Sequence, residues 1–224
     1  FITGITGGGK SALVMEILTQ SECYFDSTIV LDNGSSYACL NRAFDKNSKV
    51  FTISEHGDEV LNCLSTNGQA LASLHQENAT KILELMAAKF VESGVYGDSF
   101  IFDRLKAFYE FWPTRHTENT DTSESWRTFY KDLPEDEQPT LSDFQKWLEQ
   151  DAEKPSRYSD DTASLALILS RWCKANGGYS LLDGVGTISF TGNKMIYVEL
   201  SKLSSASKEL KAIAAHVISN LIVT

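Results

Sequence analysis

The spacing of apolar residues changes character twice along the chain. Near the start, Leu13, Val14, Ile17 and Leu18 recur at the interval of a helix face. Phe1-Ile2-Thr3 reads as the tail of a strand, with a Gly-rich turn between it and that helix. "TIVLD" (28–32) and "KVFTIS" (49–54) are short, apolar and β-branched, so both read as strands. Strand, turn, helix, strand in that order predicts an α/β fold with a parallel sheet. From 69 to 176 the period is helical. Ile82, Leu85, Met86 and Phe90 predict a helix closed by Gly94; Ile101, Leu105, Phe108, Tyr109 and Trp112 predict another, stopped by Pro113. Residues 114–138 are polar and acidic and read as a long loop. "PTLSDFQKWLEQ" has Thr140 as N-cap and Asp143 at the third helical position, followed by Phe144, Trp147 and Leu148. Leu165, Ala166, Leu169, Trp172 and Cys173 mark a further helix, ended by Asn176-Gly177. "TISFTGNKMIYVEL" then reads as two strands around Gly192-Asn193, a hairpin turn. Leu210, Ile213, Ala214, Val217, Ile218 and Leu221 line one face of a last helix. The predicted organisation is an α/β core over 1–68, an all-helical insertion over 69–176, and a return to the core over 177–224.

Composition narrows the classes. The 224 residues are 42% hydrophobic, enough for a substantial core. Net charge is −10 and no run of Lys or Arg occurs, so no direct nucleic-acid contact is expected from this segment. Cys23, Cys39, Cys63 and Cys173 are scattered without CxxC spacing and read as free thiols. No apolar stretch approaches 18 residues. Tyr96, Phe100, Phe102, Phe108, Tyr109, Phe111 and Trp112 form an aromatic stripe, read as core rather than as a docking surface. Asn78-Ala79-Thr80 is read as a helix start, and His56, His75, His116 and His216 are assigned no chemistry. Both ends look cut, so the sequence reads as a piece of a longer protein.

The chemistry is concentrated in "GITGGGKSA" (4–12). Gly4, Gly9, Lys10 and Ser11 fit G-x-x-x-x-G-K-[ST], between a strand end and a helix start. Glycines let backbone N–H groups turn inward around anionic oxygens, and the helix N-terminus adds its positive dipole end. The candidate nucleotide-binding residues are Gly4, Thr6, Gly7, Gly8, Gly9, Lys10, Ser11 and Ala12. Lys10 is the candidate catalytic residue, meeting the β- and γ-phosphates of ATP, and the Ser11 hydroxyl is the candidate Mg²⁺ ligand. Hydrolysis also needs an acid at the end of a second apolar strand. Asp32, Asp103 and Glu199 each follow an apolar run. Asp103 falls in a helical pattern and reads as a surface carboxylate, Asp32 as a neighbour of the site, and Glu199 as the end of a core strand.

These pieces, in order, resemble the TraC-type ATPases of conjugative type IV secretion systems, the class of the fourth VirB protein. "GITGGGKSA" is similar to their Walker A, and "LDNGSSYACL" to their strand ending in Asp-x-Gly. "VLNCLS" stands where the family has Asn-Pro-Phe, with Cys63 in place of the Pro. "PTLSDFQKWL" resembles a helix start of the family's insertion. "ANGGYSLLDG" is similar to its Gly-x-Tyr-to-Gly segment, with Leu182 where an aromatic is frequent, and "KMIYVELSKL" to the strand before its long helix. The acidic aromatic stretch 95–138 has no counterpart. The resemblance implies a RecA-like P-loop NTPase core of the HerA/FtsK kind interrupted by a helical insertion. It implies ATP and Mg²⁺ as cofactors, and ATP hydrolysis powering conjugative DNA transfer or assembly of a secretion channel or pilus. It further implies a homo-oligomer (a hexamer), inner-membrane channel components as partners, and a place at the cytoplasmic face of the bacterial inner membrane. The family's Walker B acids are expected beyond Thr224, which leaves this segment by itself without turnover. Two other readings stay open: a nucleotide-binding scaffold without turnover, and a P-loop kinase of a small substrate, which the dispersed Arg104, Arg115, Arg127 and Arg157 do not favour.

Overall fold

The computed structural model describes residues 9–34, 36–37, 39, 48–88, 98–116, 125–131, 133–190, 192–203 and 206–223. The chain forms two compact units, Phe1–Glu59 with Ile188–Ala206, and Val60–Thr187 with Ser207–Thr224. The predicted core strand Phe1-Ile2-Thr3 lies outside the described residues.

In the first unit, helix α1 (Lys10–Ser21) precedes strands β1 (Thr28–Asp32), β2 (Ser48–Thr52) and β3 (Met195–Glu199). The sheet is parallel, in the order β1-β3-β2. Every residue of β3 is buried, and "MIYVE" is the near-continuous apolar run of a central parallel strand. This overturns the hairpin expected around Gly192-Asn193. Residues 186–190 form no strand, because β1 and β2 occupy both edges of β3. Gly192, at φ +77°, instead turns the chain into β3. The alternation of side chains along a pleated strand puts Val30 and Asp32 on one face of β1, and Met195, Tyr197 and Glu199 on one face of β3. Met15 and Leu18 of α1 pack there, on Val30, Met195 and Tyr197. The sequence places Leu13 and Ile17 on the same inward stripe, but each is about half exposed (51% and 48%).

The second unit is helical: α2 (Ser73–Met86), α3 (Asp98–Phe111), α4 (Ser125–Phe129), α5 (Leu141–Ala152), α6 (Ser159–Ser170) and α7 (Lys208–Val223). Helices α5 and α6 pack on each other, and α2 packs against α3, α6 and α7. Thr140 and Asp143 form a reciprocal capping box, the Asp143 amide donating to Thr140 Oγ1 (3.3 Å) and the Thr140 amide to Asp143 Oδ2 (3.0 Å). Phe100, Phe108, Tyr109 and Trp112 of the aromatic stripe are buried, whereas Phe111 is exposed and Tyr96 lies outside the described residues. Phe108 packs on Phe144 with ring centres 5.1 Å apart. The stretch read as a loop, 114–138, contributes α4 and the buried Tyr130 and Leu133. Tyr130 donates to the Tyr109 carbonyl (2.7 Å) and so anchors the polar segment in the core, and Tyr109 of α3 in turn donates to the Leu64 carbonyl (2.9 Å).

Two helix limits differ from the sequence reading. Helix α2 begins at Ser73, so Asn78 is interior to it, and its described end is Met86; Phe90 and Gly94 lie outside the described residues. Helix α6 ends at Ser170, and Gly177 at φ +81° closes a separate 3-10 turn over Lys174–Asn176. Segments 60–68, 177–187 and 207–224, read as core, belong by contact to the helical unit, with α7 lying on α2.

Candidate functional site

Gly9 caps α1 in the left-handed conformation, φ +78° and ψ 8°, and its carbonyl accepts from the Leu13 amide (3.0 Å). A Cβ there meets nothing within 4 Å, so Gly is required for backbone reasons and not for space. Lys10, Ser11 and Ala12 form the first helical turn, which holds no acidic residue. Lys10 and Ser11 are half-buried and Ala12 is exposed. The N-terminal amides of the helix, its positive dipole end and a Lys in a turn that contains no acidic residue suit an anion such as a nucleotide phosphate. Of the sequence-predicted site residues, Gly9, Lys10, Ser11 and Ala12 are therefore consecutive at one helix start. Gly4, Thr6, Gly7 and Gly8 lie outside the described residues.

The direction of α1 follows from its connection. Only residues 22–27 link its end at Ser21 to Thr28 of β1, and Met15 and Leu18 rest on the sheet. A helix joined so tightly to the strand it covers runs back along it. Its first turn therefore lies toward the carboxyl end of the parallel strands, the edge at which open α/β sheets bind ligands.

At that edge, Asp32 and Glu199 are register partners on β1 and β3. Both are buried, 6% and 8% exposed. The Tyr197 hydroxyl lies between them, 2.8 Å from Asp32 Oδ2 and 2.9 Å from Glu199 Oε2. The Tyr37 amide donates to Asp32 Oδ2 (2.9 Å) and the Ser201 amide to Glu199 Oε1 (2.8 Å). Burial, then the two carboxyl groups, push the ionisation of Tyr197 far above the usual phenol range, so it stays a hydroxyl. Asp103 is exposed on α3, in the helical unit. Among the described residues no group of three or more His, Cys, Asp or Glu side chains is placed to hold a metal.

Sequence reasoning missed Tyr197. A Tyr two positions before a strand-ending Glu shares its face, and that was the available signal. It also missed Asp183, a buried carboxylate that accepts from the Ser142 amide (2.9 Å), the Ser142 hydroxyl (2.6 Å) and the Lys174 amide (2.8 Å).

No protein-family model matches the chain, and no curated protein does. Among solved structures, the chain is similar to the structure of VirB4 of Thermoanaerobacter pseudethanolicus. The TM-score is 0.72 at 16% sequence identity, over 98% of this chain and 54% of that one. The chain thus has the fold of one part of VirB4 and spans about half of its length.

Proposed function

We propose that the chain is the ATP-binding segment of a motor ATPase of the TraC and VirB4 kind. The observation that carries this reading is G-x-x-x-x-G-K-S ending on the first turn of α1, in a chain that shares its fold with VirB4. In this reading residues 1–68 and 177–224 belong to a RecA-like, HerA/FtsK-like core and residues 69–176 are the insertion. The boundaries 1–68, 69–176 and 177–224 remain the proposed domain limits. Gly4, Thr6, Gly7, Gly8, Gly9, Lys10, Ser11 and Ala12 hold the phosphates, Lys10 meets the γ-phosphate, and Ser11 binds Mg²⁺. When bound, Mg·ATP supplies the phosphoryl group whose hydrolysis drives the motor. The protein's own part is to aim N–H groups and the Lys10 ammonium at the charge of that group, in a site that needs no rearrangement. The motor powers conjugative DNA transfer or assembly of a secretion channel or pilus, as a homo-oligomer joined to inner-membrane channel components at the cytoplasmic face.

The test is turnover in a protein containing this chain. Lys10→Ala removes most ATP hydrolysis, because it deletes the charge that meets the leaving phosphoryl group. Turnover within about threefold of wild type, roughly 0.7 kcal/mol of barrier, would rule the role out.

A further inference from the structure

We infer that the groove between α5 and α6 is a docking site for a basic amphipathic helix of another protein. Every residue of this groove belongs to the helical unit, and its occupancy does not depend on a nucleotide.

The groove has a volume of about 430 Å³. Ala163, Ala166, Leu167 and Ser170 line it from α6. Their spacing is i, i+3, i+4 and i+7, so they form one helix face two turns long. Glu149, Ala152 and Glu153 line it from α5, again at i, i+3 and i+4. Three alanines and a serine keep the floor low, and short side chains let a third helix approach closely.

Leu167 stands beside that floor at 74% exposure, the most exposed large apolar side chain among the described residues of the helical unit. A single exposed Leu is ordinary on a protein surface. This one continues a face. Leu165, Ala166 and Leu169 bury the inward side of α6, and the exposed Ala163 and Leu167 carry its apolar surface round to the groove. The helix thus presents more apolar surface than its packing on α5 and α2 covers.

Charge selects the occupant. The groove is lined by two carboxylates and no cation. Glu149 accepts from the neutral amide of Gln145 (2.7 Å), and neither Glu149 nor Glu153 is in an ion pair among the described residues. Nearby cations are turned elsewhere: Lys154 is held by Asp151 (3.0 Å), and Arg171 lies over the Trp172 ring (4.9 Å). Asp160, exposed and three positions before Ala163, adds a carboxylate at that end of the α6 face. An apolar floor between unpaired carboxylates fits a helix whose apolar stripe is flanked by Lys or Arg. Nucleic acid and anionic membranes meet like charge here, and so does a second copy of a chain with net charge −10. Two helical turns make a contact about 10 Å long, so the complex is of the weak, exchanging kind.

The test is fluorescence anisotropy at low salt, with the whole chain and two labelled synthetic helical peptides. Both peptides carry a stripe of Leu and Ala; one is flanked by Lys and the other by Glu. Wild type binds the Lys peptide and not the Glu peptide, and added salt weakens the binding several-fold. Leu167→Gln weakens it about tenfold or more, the worth of burying one Leu. That side chain is exposed in the free protein and Gln is a comparable helix former, so the unfolding temperature is unchanged. Glu149→Lys with Glu153→Lys turns the preference toward the Glu peptide. No binding of the Lys peptide by wild type, or equal binding of the two peptides, overturns the inference. So does an affinity that Leu167→Gln leaves unchanged, because the peptide then sits on another acidic face. A dimer in sedimentation that Leu167→Gln abolishes also overturns it, by making a second copy the occupant.

Discussion

Gly9 and Gly192 form a matched pair for testing whether the start of α1 is built for a ligand. Both lie in the first unit, both are left-handed (φ +78° and +77°), and a Cβ on either meets no heavy atom within 4 Å. Replacing either by Ala therefore creates no clash, and the whole effect is conformational. An L-residue in the left-handed region costs about 1–2 kcal/mol. Against that, Ala narrows the unfolded ensemble and returns about 0.4–1 kcal/mol. The net loss is about 1 kcal/mol for each variant, a fall of about 2–4 °C in Tm for a chain of this size. Urea unfolding and thermal scans measure it. The two variants separate in the second assay, Mg·ATP binding. Gly9→Ala weakens it, because strain at the cap turns the amides of Lys10 and Ser11 away from the phosphates; Gly192→Ala leaves it unchanged. Equal effects of both variants on nucleotide affinity, or a Gly9→Ala protein as stable and as tight-binding as wild type, would refute the reasoning.

Asp183→Ala removes a buried acceptor from the Ser142 amide, the Ser142 hydroxyl and the Lys174 amide, and is expected to lower stability by about 3–5 kcal/mol in urea unfolding; a loss under about 1 kcal/mol contradicts it. His75 has both ring nitrogens buried without a hydrogen-bond partner among the described residues, and burial lowers its proton affinity. The unfolded chain then takes up the proton first, so stability falls as pH drops below about 6.5, and His75→Leu removes that fall; an unchanged acid profile in the variant counts against it. Burial pushes the thiols of Cys63 and Cys173 up to about 12, while Cys23 and Cys39 are exposed, so a thiol reagent at neutral pH labels the exposed pair first. Equal labelling rates for all four in the native protein contradict it.

What was legible in the sequence is what depends on near neighbours. The capping box at Thr140 and Asp143 spans three residues and is present as read. The strands at 28–32 and near 49–54 and the face of α7 follow from simple periodicity. Where two local signals competed, the weaker one misled. Gly192-Asn193 suggested a hairpin, but the unbroken apolar run of β3 signalled a strand covered on both faces, and pairing on both edges decided it. The inward face of α1 turned on tertiary contact: Met15 and Leu18 meet the sheet, and Leu13 and Ile17 do not share that burial. Acidity made 114–138 look like a loop, although one buried phenol, Tyr130, fastens it to the core. The place of Lys10 and Ser11 at the start of α1 was legible because Gly9, Lys10 and Ser11 are contiguous. The bond between Tyr197 and Asp32 spans 165 positions, and no local pattern encodes it.

The central claim is that the turn ending at Lys10 and Ser11 binds a nucleotide. Isothermal titration with Mg·ATP, wild type beside Lys10→Ala, tests it most directly. A hydrogen-bonded charge contributes about 1.5–3 kcal/mol. The account therefore predicts a Kd about 10- to 100-fold weaker in Lys10→Ala at unchanged unfolding temperature. Equal affinity in the two proteins, or no binding of Mg·ATP by wild type, would contradict it.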